Sequence, residues 1–246
     1  MKIIISPAKK MNLDVESNVN IEVPVFISKA EILMEHLKSL SYGELKRLLS
    51  CNDQICQLNY ERYQHMDLRR LLTPALFAYE GIQYQYMAPR VFSESQLEYV
   101  QGHLRILSGF YGLLKPFDGV ASYRLEMGSR FKTPFCNSLY DFWGEDIYNE
   151  LIKDDDEILN LASSEYNRAI EPYITAKTRY VTCFFGEMQD GAFKEKGVYV
   201  KMARGSMVRF MAQEHIEDIE GIKGFTGLGF SYSEKLSSYN KLYFIK

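Results

Sequence analysis

Short apolar runs without polar alternation constrain the fold of this chain more than any other feature. The clearest run is Ile3, Ile4 and Ile5, and residues 158–162 form a second one in which Asn160 is the single polar residue. Such a run is typical of a strand that is buried on both faces, because an edge or surface strand alternates apolar and polar side chains. The pattern therefore predicts a central sheet with helices packed over it.

Helical periodicity supplies the rest of the predicted core. Apolar residues recur at helix spacing over residues 28–66 and 139–151, and Ser41 and Ser93 each begin a capping box. The helix after Ser93 is predicted to continue to Gly109. The other predicted elements are strands over residues 121–127, 180–185, 198–202 and 242–245, and a helix over residues 206–215. No repeat or long linker interrupts them, so residues 1–246 are predicted to form a single mixed α+β domain, a mixed β-sheet core flanked by helices.

Composition excludes several classes of protein. The chain has 246 residues, and 46% of them are hydrophobic, which is ordinary for a globular protein. None of the four cysteines forms a Cys-x-x-Cys pair, and no apolar stretch approaches the ~20 residues that cross a bilayer. We therefore expect a cytoplasmic protein without membrane contact. A net charge of −3 excludes a uniformly basic surface but not a local basic groove.

The first place that can carry chemistry follows the strand at residues 3–5. In sheets covered by helices, ligands bind beyond the carboxyl ends of the strands. Ser6, Lys9 and Lys10 come directly after this strand. The alternative is a surface turn with two solvated lysines, and the sequence does not distinguish the two.

Arg124 and Glu126 form a second place. On a strand they project from the same face, either as an ion pair alone or as an anion site in which Glu126 orients Arg124. A planar guanidinium recognises phosphate or carboxylate oxygens through two parallel hydrogen bonds.

Asn160, Ser163 and Glu165 lie at the end of the second buried strand. Ser163 can be a helix N-cap and Glu165 can complement the helix dipole, so both have a purely structural explanation. An amide and a carboxylate at a strand end also suit recognition of a ribose or a base edge, which keeps these residues as site candidates.

A basic cluster of Lys201, Arg204 and Arg209 surrounds a predicted strand-to-helix junction at Ser206. Together with the free N–H groups of a helix amino terminus, these cations form a candidate anion site. We favour phosphate binding here over the alternative, a surface cluster that only improves solubility.

Two glycines, Gly109 and Gly112, lie within residues 107–113. A glycine-bounded hairpin between two helices can bring backbone N–H groups against a nucleic-acid phosphate, so the segment is a candidate helix-hairpin-helix element; a plain helix C-cap is the alternative.

The four histidines have no metal-ligand spacing, and neither a phosphate-binding loop nor a dinucleotide fingerprint is present. The sequence thus predicts no metal and no cofactor.

Six sequence blocks together resemble the YaaA family of peroxide-stress proteins. They are ISPAK at residues 5–9, LSGFYGLLKP at 107–116, YRLEMG at 123–128, LYDFW at 139–143, NLAS at 160–163 and ARG at 203–205. The resemblance implies a cytoplasmic protein with a mixed α/β fold that acts in oxidative stress, limits free iron, and binds double-stranded DNA through a positively charged cleft and a helix-hairpin-helix element. It supplies no established catalytic residue, although the wider superfamily is linked to chemistry on nucleotides.

Three departures from the family pattern bear on the basic cleft. Residues 81–87 lack an acid and a second glycine that relatives commonly carry, Met202 replaces a lysine, and Lys115 stands where arginine is usual. These changes are expected to lower the affinity for DNA.

The leading hypothesis is sequence-independent binding of double-stranded DNA in one groove. Its phosphate-binding residues are Ser6, Lys9, Lys10, Lys115, Arg124, Arg130, Lys201, Arg204 and Arg209. The alternative is an enzyme acting on a nucleotide or nucleobase, with Glu126 or Glu165 as general acid or base. Its base-contacting candidates are Tyr140, Trp143, Asn160 and Ser163.

A third hypothesis has the basic residues dispersed and the protein acting only through partner contacts. A cavity too small for a duplex, lined by the carboxylates and arginines, favours the enzyme. The sequence does not determine the oligomeric state.

Overall fold

The part of the chain that the computed structural model describes is residues 1–13 and 17–246. Its strands are β1 (Lys2–Ile5), β2 (Lys10–Met11), β3 (Thr73–Pro74), β4 (Tyr79–Glu80), β5 (Leu104–Ser108), β6 (Gly112–Leu114), β7 (Gly119–Val120), β8 (Glu157–Leu161), β9 (Arg179–Gln189), β10 (Ala192–Lys194), β11 (Ser231–Tyr232) and β12 (Lys241–Ile245). Its α-helices are α1 (Ile27–Ser39), α2 (Tyr42–Leu49), α3 (Asp53–Gln64), α4 (Ala75–Ala78), α5 (Ile82–Met87), α6 (Glu94–His103), α7 (Leu139–Trp143), α8 (Asp146–Leu151), α9 (Ser164–Asn167) and α10 (Gly197–Glu214). Short 3₁₀ helices cover Pro89–Val91, Glu171–Tyr173, Gly221–Gly224 and Gly227–Gly229.

Five parallel strands form the centre of the main sheet. The order along the sheet is β11-β12-β9-β8-β1-β5-β6, and β10 pairs with β9 beside this path. The strands from β12 to β5 run parallel, whereas β6, β10 and β11 are antiparallel to their neighbours. Two small sheets pair β2 with β4 and β3 with β7. This mixed sheet, flanked by helices in a single domain, confirms the predicted fold class.

The non-alternating apolar runs lie where the sequence indicates. Ile3, Ile4 and Ile5 are fully buried in β1, which lies between β5 and β8 in the middle of the sheet. The second run forms β8. The capping boxes at Ser41 and Ser93 are also present, at the starts of α2 and α6.

The strand order reverses at β1. The chain continues from β1 to β5 on one side of it, and later adds β8, β9 and β12 on the other side. Ile5 pairs with Leu161 in the parallel β1–β8 ladder, so both strands end at the same edge of the sheet. A reversal of this kind leaves a crevice beyond the carboxyl ends of the two strands.

The segment predicted as a helix-hairpin-helix element is a β-hairpin. α6 ends at His103, before Gly109, and β5 follows at once. β6 returns antiparallel to it, with Ser108 opposite Gly112. The apolar residues of β5 also fit a helix spacing, but every residue of the strand is buried, as expected near the centre of a sheet. Strands rather than helices flank these glycines, so the predicted element is not confirmed.

The prediction of a strand over residues 198–202 and of a helix start at Ser206 is wrong. Both stretches belong to α10, and Ser206 lies in its interior, so it offers no free helix N–H groups. Five residues of alternating apolar and polar side chains are too few to distinguish the periodicity of a strand from that of a helix. The buried side chains of the helix follow helix spacing instead, at Val200, Ala203, Met207 and Met211.

Two further predicted elements are corrected. Residues 121–127 have no regular secondary structure beyond β7, although they were expected to form a strand. Residues 139–151 form α7 and α8 rather than one helix. Gly144 separates the two with a positive φ of 51°, a conformation that glycine adopts at little cost.

Within the described residues, no helix combines the length and the hydropathy that crossing a bilayer requires.

Candidate functional site

A cavity of about 440 Å³ lies beyond the carboxyl ends of β1 and β8. The two loops that leave these strands are joined there by Ser6 and Ser163. The backbone N–H of Ser163 donates to Ser6 Oγ at 2.9 Å, and the Ser6 hydroxyl donates to Ser163 Oγ at 3.2 Å. Both residues line the cavity. The hydroxyl of Ser6 therefore holds together the two loops that border the crevice beyond β1 and β8.

Tyrosine side chains form one wall of the cavity. Tyr84, Tyr123 and Tyr166 line it, and the Tyr84 hydroxyl donates to the carbonyl oxygen of Ser6 at 3.1 Å. The Tyr123 hydroxyl lies 2.7 Å from the hydroxyl of Tyr79 and 2.6 Å from that of Ser108. Burial raises the pKa of Tyr123 to about 12. These phenols are therefore neutral at physiological pH, and they add aromatic surface without charge.

The loop that carries Arg124 and Glu126 is held in place through its backbone. The hydroxyl of buried Tyr63 donates to Arg124 O at 2.8 Å and accepts from Arg124 N–H at 3.3 Å. Gly109 lets the β5–β6 hairpin approach the same loop, because a Cβ atom there would lie 2.4 Å from Leu125 O. The hairpin thus packs against the loop that carries Arg124 and Glu126.

Glu126 joins two cations at the cavity wall. Its Oε1 lies 3.1 Å from Lys9 Nζ and 3.2 Å from Arg124 Nη2. Arg124 and Glu126 are mostly buried, with side chains 17% and 15% exposed, whereas Lys9 is 67% exposed. The ion pair foreseen from the sequence is therefore present, but the carboxylate is shared, and the trio has one positive charge in excess.

α10 brings Lys201 and Arg204 to the opposite wall. They lie three residues apart, which places them on the same face of the helix, and both line the cavity. Gly205 makes this possible, because a Cβ atom there would lie 2.0 Å from Gln83 O on α5. The two helices therefore touch through their backbones, and Gln83 lines the cavity beside Arg204.

Two polar groups in this wall are buried without satisfied hydrogen bonds. Arg204 Nε and Gln83 Nε2 have no hydrogen-bond partner among the described residues. Burial lowers the pKa of the Arg204 guanidinium, and the nearby charge of Glu195 opposes this shift. The guanidinium nevertheless stays protonated, as arginine does in proteins. Buried polar groups in native proteins are normally paired, so this wall is suited to a ligand that accepts hydrogen bonds.

Glu165, the second candidate acid or base, also lines the cavity. It is the second residue of α9, and its Oε1 accepts from the backbone N–H of Gly128 at 2.9 Å. Tyr140 does not line the cavity, and its hydroxyl donates a hydrogen bond to the backbone oxygen of Glu165 at 2.8 Å. Tyr140 is therefore a support for the α9 segment in this structure.

The remaining predicted residues lie outside the cavity lining, and these are Lys115, Arg130, Arg209, Trp143 and Asn160. Lys115 pairs with Glu22 at 3.6 Å. Trp143 is buried and donates its indole N–H to Gly109 O at 3.1 Å. Asn160 is buried too, and its side chain bonds Thr182 and the backbone N–H of Ala162. Trp143 and Asn160 thus serve the core around the site.

Sequence reasoning missed the contribution of α5. Ile82, Gln83 and Tyr84 line the cavity, and Glu80 just before them pairs with Lys10 at 2.6 Å. The sequence showed only that residues 81–87 depart from the family pattern, and this departure did not indicate a role for the segment. Within the described part of the chain, no group of three or more His, Cys, Asp or Glu side chains is arranged to hold a metal ion.

Comparison with known proteins gives one consistent result. Residues 1–236 match the family model described as peroxide stress protein YaaA. The chain is 59% identical over 246 residues to a UPF0246 protein of Desulfitobacterium hafniense, covering 100% of this chain and 98% of the relative. It is 52% identical to a UPF0246 protein of Lachnoclostridium phytofermentans and 48% identical to one of Pediococcus pentosaceus, each over 100% of this chain and over 96% and 98% of those relatives.

Proposed function

The chain belongs to the peroxide stress protein YaaA family, and from that premise we propose that it is a cytoplasmic protein that binds double-stranded DNA during peroxide stress. The observation that supports the proposal is the convergence of residues expected to contact phosphate. Those that line the cavity described above are Ser6, Lys9, Lys10, Arg124, Lys201 and Arg204.

The charge balance at this cavity differs from that of the whole chain. Five cationic side chains face three carboxylates, those of Glu80, Glu126 and Glu165, which leaves a local charge of about +2 in a chain of net charge −3. A concentrated positive field of this kind attracts polyanions and speeds their association. Lys9 and Lys10 have side chains that are 67% and 78% exposed, so they can reach a backbone that stays outside the cavity.

The proposal predicts a measurable salt dependence. Each neutralised phosphate contributes about −0.9 to the slope of log K against log salt, so three to five contacts give a slope of roughly −3 to −4.5. Titration of a labelled duplex by fluorescence anisotropy at several NaCl concentrations measures this slope. A flat response contradicts the proposal.

Two matched variants locate the binding surface. Lys201→Gln removes a cation from the cavity wall and is expected to reduce the slope by about 0.9. Lys115→Gln removes a cation that pairs with Glu22 away from the cavity and is expected to leave the slope unchanged. Equal effects of the two changes would mean that the duplex binds elsewhere.

A second candidate function, an enzyme acting on a nucleotide or nucleobase, is favoured by the size of the cavity. Its volume of about 440 Å³ lies within the range of roughly 300–1,000 Å³ found for small-ligand sites. Glu126 and Glu165 are the candidates for acid or base catalysis of base release. Incubation with a panel of nucleotides and chromatographic detection of released base tests this function, and turnover must disappear in the Glu126→Gln or the Glu165→Gln variant.

The effect on free iron that the family resemblance implies is also part of the proposal. Cells that lack the protein are expected to hold more chelatable iron after exposure to peroxide than cells in which it is restored. Electron paramagnetic resonance of whole cells treated with an iron chelator measures this pool. Equal signals from the two strains contradict this part of the proposal.

A further inference from the structure

The cavity and the exposed lysines at its edge offer two environments for one nucleic acid. A cube of 440 Å³ has an edge of about 8 Å, whereas the major groove of B-DNA alone is about 12 Å wide. A duplex is therefore too wide to enter the cavity. A single nucleotide is the part of a DNA molecule that is small enough to go inside.

We propose that the cavity receives one extrahelical nucleotide of the DNA that is bound at its edge. The inference rests on the proposed DNA binding and specifies which part of the DNA the cavity takes. Proteins that bind a flipped nucleotide hold its base by hydrogen bonds to its polar edge and by contact with aromatic or apolar side chains, while cationic side chains hold the flanking backbone. The three requirements can be compared with the described residues.

The backbone requirement is met at the edge of the cavity. Lys9, Lys10 and Lys201 are exposed there. Lys9 lies in the loop after β1, Lys10 begins β2, and Lys201 belongs to α10, so these cations reach the same cavity from different parts of the fold. Phosphates on both sides of an extruded nucleotide need such separated contacts.

The base requirement is met inside the cavity. Donors come from Gln83 and Arg204, which have the unpaired buried nitrogens described above. Acceptors come from Glu126 and Glu165, which line the same space. Every nucleobase carries both donors and acceptors on its edge, so a wall with both kinds of group is better suited to a base than to a phosphate alone.

The aromatic requirement is met by the tyrosine wall. Tyr84, Tyr123 and Tyr166 are all nearly buried, and they line the cavity together with Ile82. Because burial keeps these phenols protonated, their rings add apolar surface without an opposing charge. Aromatic contact with a base contributes to binding without requiring a particular base.

Three duplexes of the same sequence test the inference. One is fully paired, one carries 2-aminopurine opposite thymine at its centre, and one carries a single bulged nucleotide at that position. We expect 2-aminopurine fluorescence to rise several-fold on binding, because the probe leaves the base stack. The bulged duplex is expected to bind about tenfold or more tightly than the paired one, because the energy of unpairing is no longer needed.

Variants on one helix distinguish the cavity from its edge. Arg204→Gln and Lys201→Gln each remove one positive charge from α10. Lys201→Gln is expected to weaken both duplexes and keep their affinity ratio, whereas Arg204→Gln is expected to bring that ratio close to one. Ile82→Trp fills the cavity without changing charge, and it should abolish the 2-aminopurine signal in a protein whose circular dichroism spectrum matches that of the parent.

The outcomes separate this inference from the function on which it rests. Salt-dependent binding with no fluorescence change and equal affinities for paired and bulged duplexes would refute the inference and leave the DNA binding intact. Failure to bind any of the three duplexes would refute the proposed function itself, and the inference with it.

Discussion

Gly205 on α10 offers the sharpest test of how the site is built. A Cβ atom at this position would lie 2.0 Å from Gln83 O and 2.9 Å from Met87 N, both of which are backbone atoms of α5. Backbone atoms cannot rotate away as a flexible side chain can. The Gly205→Ala variant therefore has to move α10 away from α5 by about 1.4 Å before the added Cβ reaches an ordinary contact distance of 3.4 Å.

The magnitude follows from two opposing effects. Inserting a methyl group into a packed backbone contact that must shift this far costs about 3 kcal/mol, whereas alanine gains about 1 kcal/mol over glycine inside a helix. The expected result is a net loss of about 2 kcal/mol in the free energy of unfolding. With a urea dependence of about 3 kcal/mol/M, the midpoint falls by roughly 0.7 M.

A matched control exists in α6. Gly102 is also helical, but a Cβ atom there would meet no other atom within 4 Å. Gly102→Ala is therefore expected to raise the free energy of unfolding by up to about 1 kcal/mol, since only the conformational entropy of glycine is removed. Urea titrations followed by circular dichroism measure both variants. If Gly205→Ala unfolds at or above the parental midpoint, the backbone contact does not control the position of α10.

Three other changes examine charge, pH and support. Glu126→Gln releases Lys9 and Arg124 from a shared carboxylate, so duplex binding in low salt should tighten and the salt slope should steepen by up to about 0.9 for each cation that the carboxylate keeps from a phosphate; an unchanged affinity and slope would show that Glu126 keeps neither cation from a phosphate. Burial raises the pKa of Asp118 to about 6, above the value of about 3.9 for an exposed aspartate, so ionisation of this carboxyl costs stability as pH rises from about 4 to 6, by up to about 3 kcal/mol. Asp118→Asn should therefore gain stability relative to the parent over this interval, and a difference in unfolding free energy that does not vary with pH contradicts the assignment. Tyr63→Phe leaves both backbone groups of Arg124 without their partner, which should cost about 1–3 kcal/mol in the same urea assay, and a loss below 0.5 kcal/mol would indicate that the loop is held by other contacts.

The centre of the fold was accessible from the sequence because its signal is local and unambiguous. Three successive isoleucines in β1 leave no polar face, so burial on both sides follows from the residues alone. The position of Ser6 beyond that strand then follows from the general rule for sheets of this type. Arg124 and Glu126 meet for a different reason, since side chains two residues apart can pair even in an irregular loop.

The errors occur where tertiary contacts decide between two local patterns. Residues 198–202 alternate as a strand does, yet they fold as part of α10 because that helix packs on α5 through Gly205. Nothing near Gly205 in the sequence indicates its partner, which lies more than a hundred positions earlier in the chain. Gln83 was missed for the same reason: its role depends on the helix that it faces, and its neighbours in the sequence do not indicate that helix.

These contacts also explain why several glycines belong to the sequence blocks shared with the family. Gly109 of one block touches Leu125 of another, Gly205 touches Gln83, and Gly112 lies against the ring of Trp143, where a Cβ atom would come within 2.7 Å. Each glycine permits two backbones, or a backbone and a ring, to approach closely. Because the cavity walls come from elements that are distant in the chain, their relative positions depend on these close approaches. Substitutions at the glycines should therefore impair DNA binding although none of them contacts the ligand, and the affinity should decline in step with the displacement that each added methyl group requires.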